Sequence, residues 1–181
     1  VGTLYQQKGD YKTAITAYDS ILILNPDNIQ ANLYKAQSLV ALGDKKGALE
    51  LYKKVASLDP DNEVAQADMV NMVKDTMTIP QFVEYIKKNN PNNAGDILYD
   101  YALDLHKKDK LADAINLYNE VIKLDDDNSE AYVNLAIAQG QEKNYDGALK
   151  TISIAKTKFG ANTQIADAET SLKAQFMDEK L

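Results

Sequence analysis

The chain has 181 residues, 45% of them hydrophobic, and 27 acidic against 20 basic side chains give a formal net charge of -7. That balance, with a pI near 4.7, argues against a nucleic-acid backbone or an anionic membrane as the main partner. There is no cysteine and no arginine, which excludes disulfides, thiolate metal sites, thiol catalysis and the forked guanidinium suited to two-point phosphate or carboxylate recognition.

In chain order, Val1 to about Gln7 is expected to be half of an opening helix, stopped at Gly9-Asp10, where glycine suits a left-handed residue. A second helix, about Tyr11 to Leu24, places Ala14, Ile15, Tyr18, Ile21 and Leu22 on one face. Pro26 ends it, and Asp27 or Asn28 is positioned to cap the next. Helices follow near Asn28 to Ala41, Lys45 to Leu58 and Glu63 to Asp75. Thr78-Ile79-Pro80 starts a short helix that ends near Asn89-Asn90-Pro91. The remaining helices are expected near Gly95 to Lys107, Leu111 to Leu124, Asn128 to Glu142, Tyr145 to Lys158 and Thr163 to Met177. No apolar run approaches the roughly 20 residues of a membrane span. The chain begins about halfway along a first helix, so a shortened start is expected, which leaves room for a signal, an anchor or further repeats before Val1; the compartment is left open, with the cytoplasm slightly favoured.

The landmarks recur every 34 residues: Gly9, Ala14, Tyr18, Pro26 and Asn28 become Gly43, Ala48, Tyr52, Pro60 and Asn62. Ala114 and Asn128 become Ala148 and Asn162 at the same spacing, while Ala48 to Ala114 is 66, so the middle copy has lost two residues. Self-similarity at this period means a solenoid. In Ile29 to Asn62 the pattern Lys35-Ala36, Leu39, Ala48, Tyr52, Val55 and Pro60 resembles the tetratricopeptide repeat, although Asn32 stands where a large apolar residue is usual. Ser129 to Asn162 repeats it with Tyr132, Leu135-Ala136, Ala148, Ile152 and Ala155, and with Gly160 in place of proline.

The resemblance implies an all-α, right-handed solenoid over residues 1–181, with repeats at 1–28, 29–62, 63–94, 95–128 and 129–162 and a capping helix at 163–178. Small residues at the close-contact places are packing requirements. The third copy carries Val70 and Phe82 there. Either its two helices splay into a bend, or Phe82 turns into a neighbouring gap. The final helix reads as a cover for the last apolar face with no other task.

In this family the first helices line a concave surface that holds an extended peptide or a helix. The resemblance carries that lining to Gln30, Leu33, Tyr34 and Gln37, to Ala67, Asp68, Asn71 and Asp75, to Asp96, Tyr99, Asp100, Leu103 and His106, and to Glu130, Val133, Asn134, Ile137 and Gln141. Acids and tyrosines outnumber cations in this set, so a basic and apolar protein or peptide ligand is expected. One subclass grips a peptide's terminal carboxylate with lysine, asparagine and arginine. The matching places here hold acids such as Asp68, Asp96 and Asp100, which would repel it. Self-assembly into a homo-oligomer through the N-terminal edge is the alternative.

No cofactor, metal or catalytic set is expected, and neither is a nucleic-acid partner. Asp125 to Glu130 has calcium-like spacing but lacks the turn glycine and the closing acid, and acids at a helix start explain it. His106 is the only histidine and is read as a solvated or groove-lining side chain rather than a catalytic one.

Overall fold

A computed structural model describes residues 1–74, 76–160 and 162–178. Among them are eleven α-helices and no strand: α1 (Gly2–Gln7), α2 (Tyr11–Leu24), α3 (Ile29–Ala41), α4 (Lys45–Leu58), α5 (Glu63–Lys74), α6 (Ile79–Asn89), α7 (Ala94–Lys107), α8 (Leu111–Leu124), α9 (Ser129–Gln141), α10 (Tyr145–Phe159) and α11 (Thr163–Asp178). A 3-10 turn, Pro91–Asn93, precedes α7. The chain divides into two compact units, Val1–Met77 and Thr78–Leu181, and the division falls between the two helices of the irregular third copy.

The helix ends follow the period. Asn28, Asn62, Asn128 and Asn162 each accept, through the side-chain oxygen, a hydrogen bond from the backbone N–H three residues on, at 2.8 to 3.0 Å. Each thereby satisfies a donor that the first turn cannot pair internally. Of the two candidates for the α3 cap, Asn28 fills the role. Asp10, Asp44 and Asn144 cap second helices in the same way.

The left-handed residue between paired helices is Gly9 (φ 77°) and Gly43 (φ 86°), but Asp109 (φ 58°) and Lys143 (φ 62°) in the later copies. A Cβ in that conformation costs on the order of 1 kcal/mol, and less for Asp, which tolerates it. Lys143→Gly is therefore expected to raise stability by about 1 kcal/mol and Asp109→Gly by less. At this chain length the Lys143 change corresponds to roughly 2–4 °C in Tm. An unchanged or lowered Tm for Lys143→Gly would contradict this account.

In Val1–Met77 the helices pack in sequence order, α1 on α2 through α4 on α5. Leu33, Ala36, Ala48, Tyr52, Val55 and Ala65 form one buried cluster. The small-residue rule holds, because Ala14, Ala36 and Ala48 are fully buried. Asn32 is also buried, and its amide nitrogen donates to the carbonyls of Pro26 and Asn28, both at 2.9 Å. A polar side chain is thus accommodated at an apolar place by tying down the preceding turn. Lys54 donates to the same Pro26 carbonyl at 2.7 Å.

In the second unit α6 packs on α7 and α8, the helices α7 to α11 follow in order, and α9 also meets α11. Thr78 opens α6 by donating its backbone N–H to the Gln81 side chain at 3.0 Å. Phe82 is fully buried with its ring edge-on to Tyr101 of α7, the centroids 4.9 Å apart. Its volume is thus absorbed against the first helix of the next copy. Lys87 of α6 pairs with Glu120 of α8 at 2.8 Å, and Lys123 joins at 2.6 Å. Hydrogen bonds from these two lysines hold the Glu120 carboxyl below its ordinary range.

Candidate functional site

In the first unit the residues expected on the first-helix face come from α3 and α5. Gln30, Ala67 and Asn71 are exposed, and Tyr34, Gln37 and Asp68 are half-buried. Leu33 is a correction: it is only 5% exposed and belongs to the core cluster. The reason is that α3 packs against both α2 and α4. Asp75 lies outside the described residues.

Tyr52 crosses from α4, and its hydroxyl donates to Asp68 Oδ2 at 2.9 Å, while Gln37 donates to the same oxygen at 3.2 Å. No hydrogen bond from a described residue reaches the other oxygen, Oδ1. Burial first, and then the bond to Asp68, push the Tyr52 hydroxyl well above the ordinary phenol range. It therefore stays protonated as a donor. Tyr18 of α2, at the place of Tyr52 in the period, donates instead back to Gln6 of α1 at 2.9 Å, and its ring lies 5.9 Å from that of Tyr34, which stands 34 residues before Asp68.

In the second unit Tyr99 of α7 donates to Glu130 Oε2 at 3.2 Å and accepts from the Asn134 amide at 2.8 Å. Burial, followed by the Glu130 charge, pushes its hydroxyl up to about 12. His106 stands between Gln141 Oε1, 2.8 Å from Nε2, and the Tyr118 hydroxyl, 3.2 Å from Nδ1. With an oxygen acceptor at Nε2, that nitrogen carries the proton and Nδ1 accepts from Tyr118. Both ring nitrogens are thus engaged in joining α7 to α8 and α9. Leu103, Val133, Asn134 and Ile137 are half-buried, and Asp96 and Asp100 are exposed.

Val133, Asn134 and Ile137, with Glu130 and Gln141, form one wall of a hollow of about 580 Å³. The opposite wall comes from α11: Gln164, Asp167, Ala168, Ser171, Leu172 and Gln175. Sequence reasoning assigned α11 only a covering task. It does cover, because Ile165, Ala168 and Leu172 are buried against α9 and α10 residues, and the adjoining stripe of Gln164, Asp167, Ser171 and Gln175 borders the hollow. The signal was present in the sequence: steps of 34 from Glu130, Val133, Asn134, Ile137 and Gln141 land on Gln164, Asp167, Ala168, Ser171 and Gln175.

The acids at Asp125 to Asp127 are exposed and make local contacts. Lys158 of α10 pairs with Asp126 at 2.5 Å and Asp127 at 3.3 Å, and Asp125 accepts the backbone N–H of Asp127. Among the described residues no group of three or more His, Asp or Glu side chains is placed to hold a metal ion, and no helix is long and apolar enough to cross a membrane.

Stacked helix pairs with small residues at their crossings define the class of helical repeat scaffolds. Two family models of the tetratricopeptide repeat match residues 5–69 and 102–143, together more than half of the chain. The chain belongs to the tetratricopeptide repeat family, whose members bind protein or peptide partners and are in general non-catalytic scaffolds. A crystal structure of MamA is similar at 21% identity and a TM-score of 0.55, covering 97% of each chain. A second MamA structure is similar at 22% and 0.54 over 87% of each. PilF of Pseudomonas aeruginosa is similar at 16% and 0.50, covering 99% of this chain and 82% of that one. At these identities the likeness is one of fold. No curated protein is significantly similar in sequence.

Proposed function

We propose that this chain is a non-catalytic interaction scaffold that holds a peptide or helix of basic and apolar character on the first-helix faces of its two units. The residues in contact are Gln30, Tyr34, Gln37, Asp68 and Asn71 in one unit. In the other they are Asp96, Tyr99, Asp100, Leu103, His106, Val133, Asn134 and Ile137. The division into five repeats and a cap, working as a single solenoid, is part of the proposal.

The observation that carries it is the handling of two carboxylates. Asp68 and Glu130 each accept from a tyrosine hydroxyl through one oxygen. A carboxylate held in this way is oriented before a ligand arrives, so a lysine or arginine that meets it loses less freedom on binding. Asp96 and Asp100 add negative charge without a hydrogen bond or ion pair to any described residue.

The test is a pull-down with wild type beside a Tyr34→Ala, Tyr99→Ala double variant. Capture is expected to fall at least tenfold, and capture by wild type to weaken as salt is raised from 50 to 500 mM. Equal capture by both proteins, or indifference to salt, would count against these faces. Self-association is the second reading, favoured by Leu4 at 61%, Ile23 at 79% and Leu24 at 87% exposure. A mass by light scattering that rises with concentration is its mark.

A further inference from the structure

We infer that the hollow between α6 and α8, two second helices of the Thr78–Leu181 unit, is a separate docking site. Its occupant is a short amphipathic helix of a partner protein, with an apolar stripe, a basic residue along one flank and an acidic residue along the other. The site is built without the first-helix faces and does not depend on the ligand proposed for them.

The two helices leave about 600 Å³ between them. Its apolar part comes from the start of α6, with half-buried Ile79, exposed Pro80 and buried Val83. Phe82, which has the bulk to fill such a space, is packed on Tyr101 of α7 instead. On the α8 wall Asn116 and Asn119 are exposed amides that give the apolar part no cover. A groove between two helices takes a third by ridge-into-groove packing. From Asn116 to Lys123 the wall rises about 10 Å, which two turns of a partner helix span.

The walls are tied together before any ligand arrives. Lys87 of α6 pairs with Glu120 of α8 at 2.8 Å, and Lys123 pairs with the same carboxyl group at 2.6 Å. The first of these contacts crosses between the helices beside the hollow. Less ordering is then required on binding.

The rims carry opposite charges. Glu84, on the α6 side, is exposed and has no hydrogen bond or ion pair with another described residue. Lys123, on the α8 side, has a side chain 69% exposed, and its ammonium keeps donors beyond the one given to Glu120. An acid on one wall and an ammonium on the other complement a helix whose apolar stripe runs between a Lys or Arg and a Glu or Asp. A helix flanked by one sign of charge meets repulsion at one rim.

The test is an NMR titration of the full chain with three capped, helix-forming peptides of about 14 residues that share one leucine stripe. One carries lysine along one flank and glutamate along the other, one carries lysine on both, and one carries glutamate on both. Saturable amide shifts in residues 79–84 and 116–123 are expected with the mixed peptide, and binding at least fivefold weaker with either of the others. Glu84→Lys, at an exposed position, is expected to leave the thermal melt unchanged and to turn the preference toward the glutamate-flanked peptide. Shifts confined to α7, α9 and α11, or a preference untouched by Glu84→Lys, would overturn the site. The absence of saturable shifts with all three peptides overturns it too. Shifts of the same residues that grow with protein concentration, with no peptide present, would assign the hollow to a second copy of the chain and overturn the helix partner. The pull-down above reports on the first-helix faces separately.

Discussion

Tyr118→Ala is expected to destabilise the protein by about 3–5 kcal/mol, the range for removing a fully buried aromatic ring. Tyr118 is 0% exposed, its centroid lies 6.0 Å from those of both Tyr99 and His106, and its hydroxyl faces His106 Nδ1. Truncation opens a cavity between α7 and α8 and leaves that nitrogen without its donor. Tyr118→Phe separates the two effects, because it keeps the ring and removes only the hydroxyl. Its expected cost is about 1 kcal/mol, since half-buried His106 can turn to water. Urea unfolding of the three proteins decides the matter. A loss below about 1 kcal/mol for the alanine variant would mean that this place in the repeat is not a packing centre.

Alkali is expected to unfold the protein in a window opening near pH 10. Tyr18, Tyr52, Tyr99 and Tyr118 all have hydroxyls raised above their ordinary value of 10.0, in each case first by burial. The unfolded chain therefore loses these protons as pH passes about 10. The folded chain keeps them, Tyr99 until about 12. The unfolded state binds fewer protons throughout this interval, so stability is fully present below pH 10 and falls as pH rises.

For Tyr52 and Tyr118, whose rings are buried, the loss is at most about 1.4 kcal/mol per pH unit each, and less to the extent that water screens the hydroxyl. The contribution of the more exposed Tyr18 and Tyr99 is smaller because water screens them. From pH 9 to 11.5 Tm should fall by roughly 10 °C or more. The comparison is with a Tyr52→Phe, Tyr118→Phe variant, which lacks these two protons and shares every other effect of alkali. The same steepness in both proteins would remove the tyrosines from the explanation.

Much of the fold was legible because the repeat writes its punctuation in local chemistry. Asn28, Asn62, Asn128 and Asn162 cap because a short amide next to a helix start meets an unpaired N–H in any setting. Gly9 and Gly43 turn because only glycine enters the left-handed region without strain. The candidate faces were less legible. Leu33 shares a register with Tyr99 and Val133, so spacing alone treats the three alike, yet it is buried while they are half-buried. The bond from Tyr52 to Asp68 joins side chains 16 residues apart on different helices, and no single-helix pattern announces it.

The 34-residue period, the helix limits, the small residues at the crossings and the family were all set by the amino-acid order alone, because each follows from contacts within one helix pair repeated along the chain. Tertiary structure decided the rest: the burial of Leu33, the direction taken by Phe82, the tyrosine bonds to Asp68 and Glu130, and the stripe of α11 that borders the hollow beside α9. Those outcomes depend on how closely and at what angle neighbouring helices meet, which a residue pattern constrains only to the level of a face.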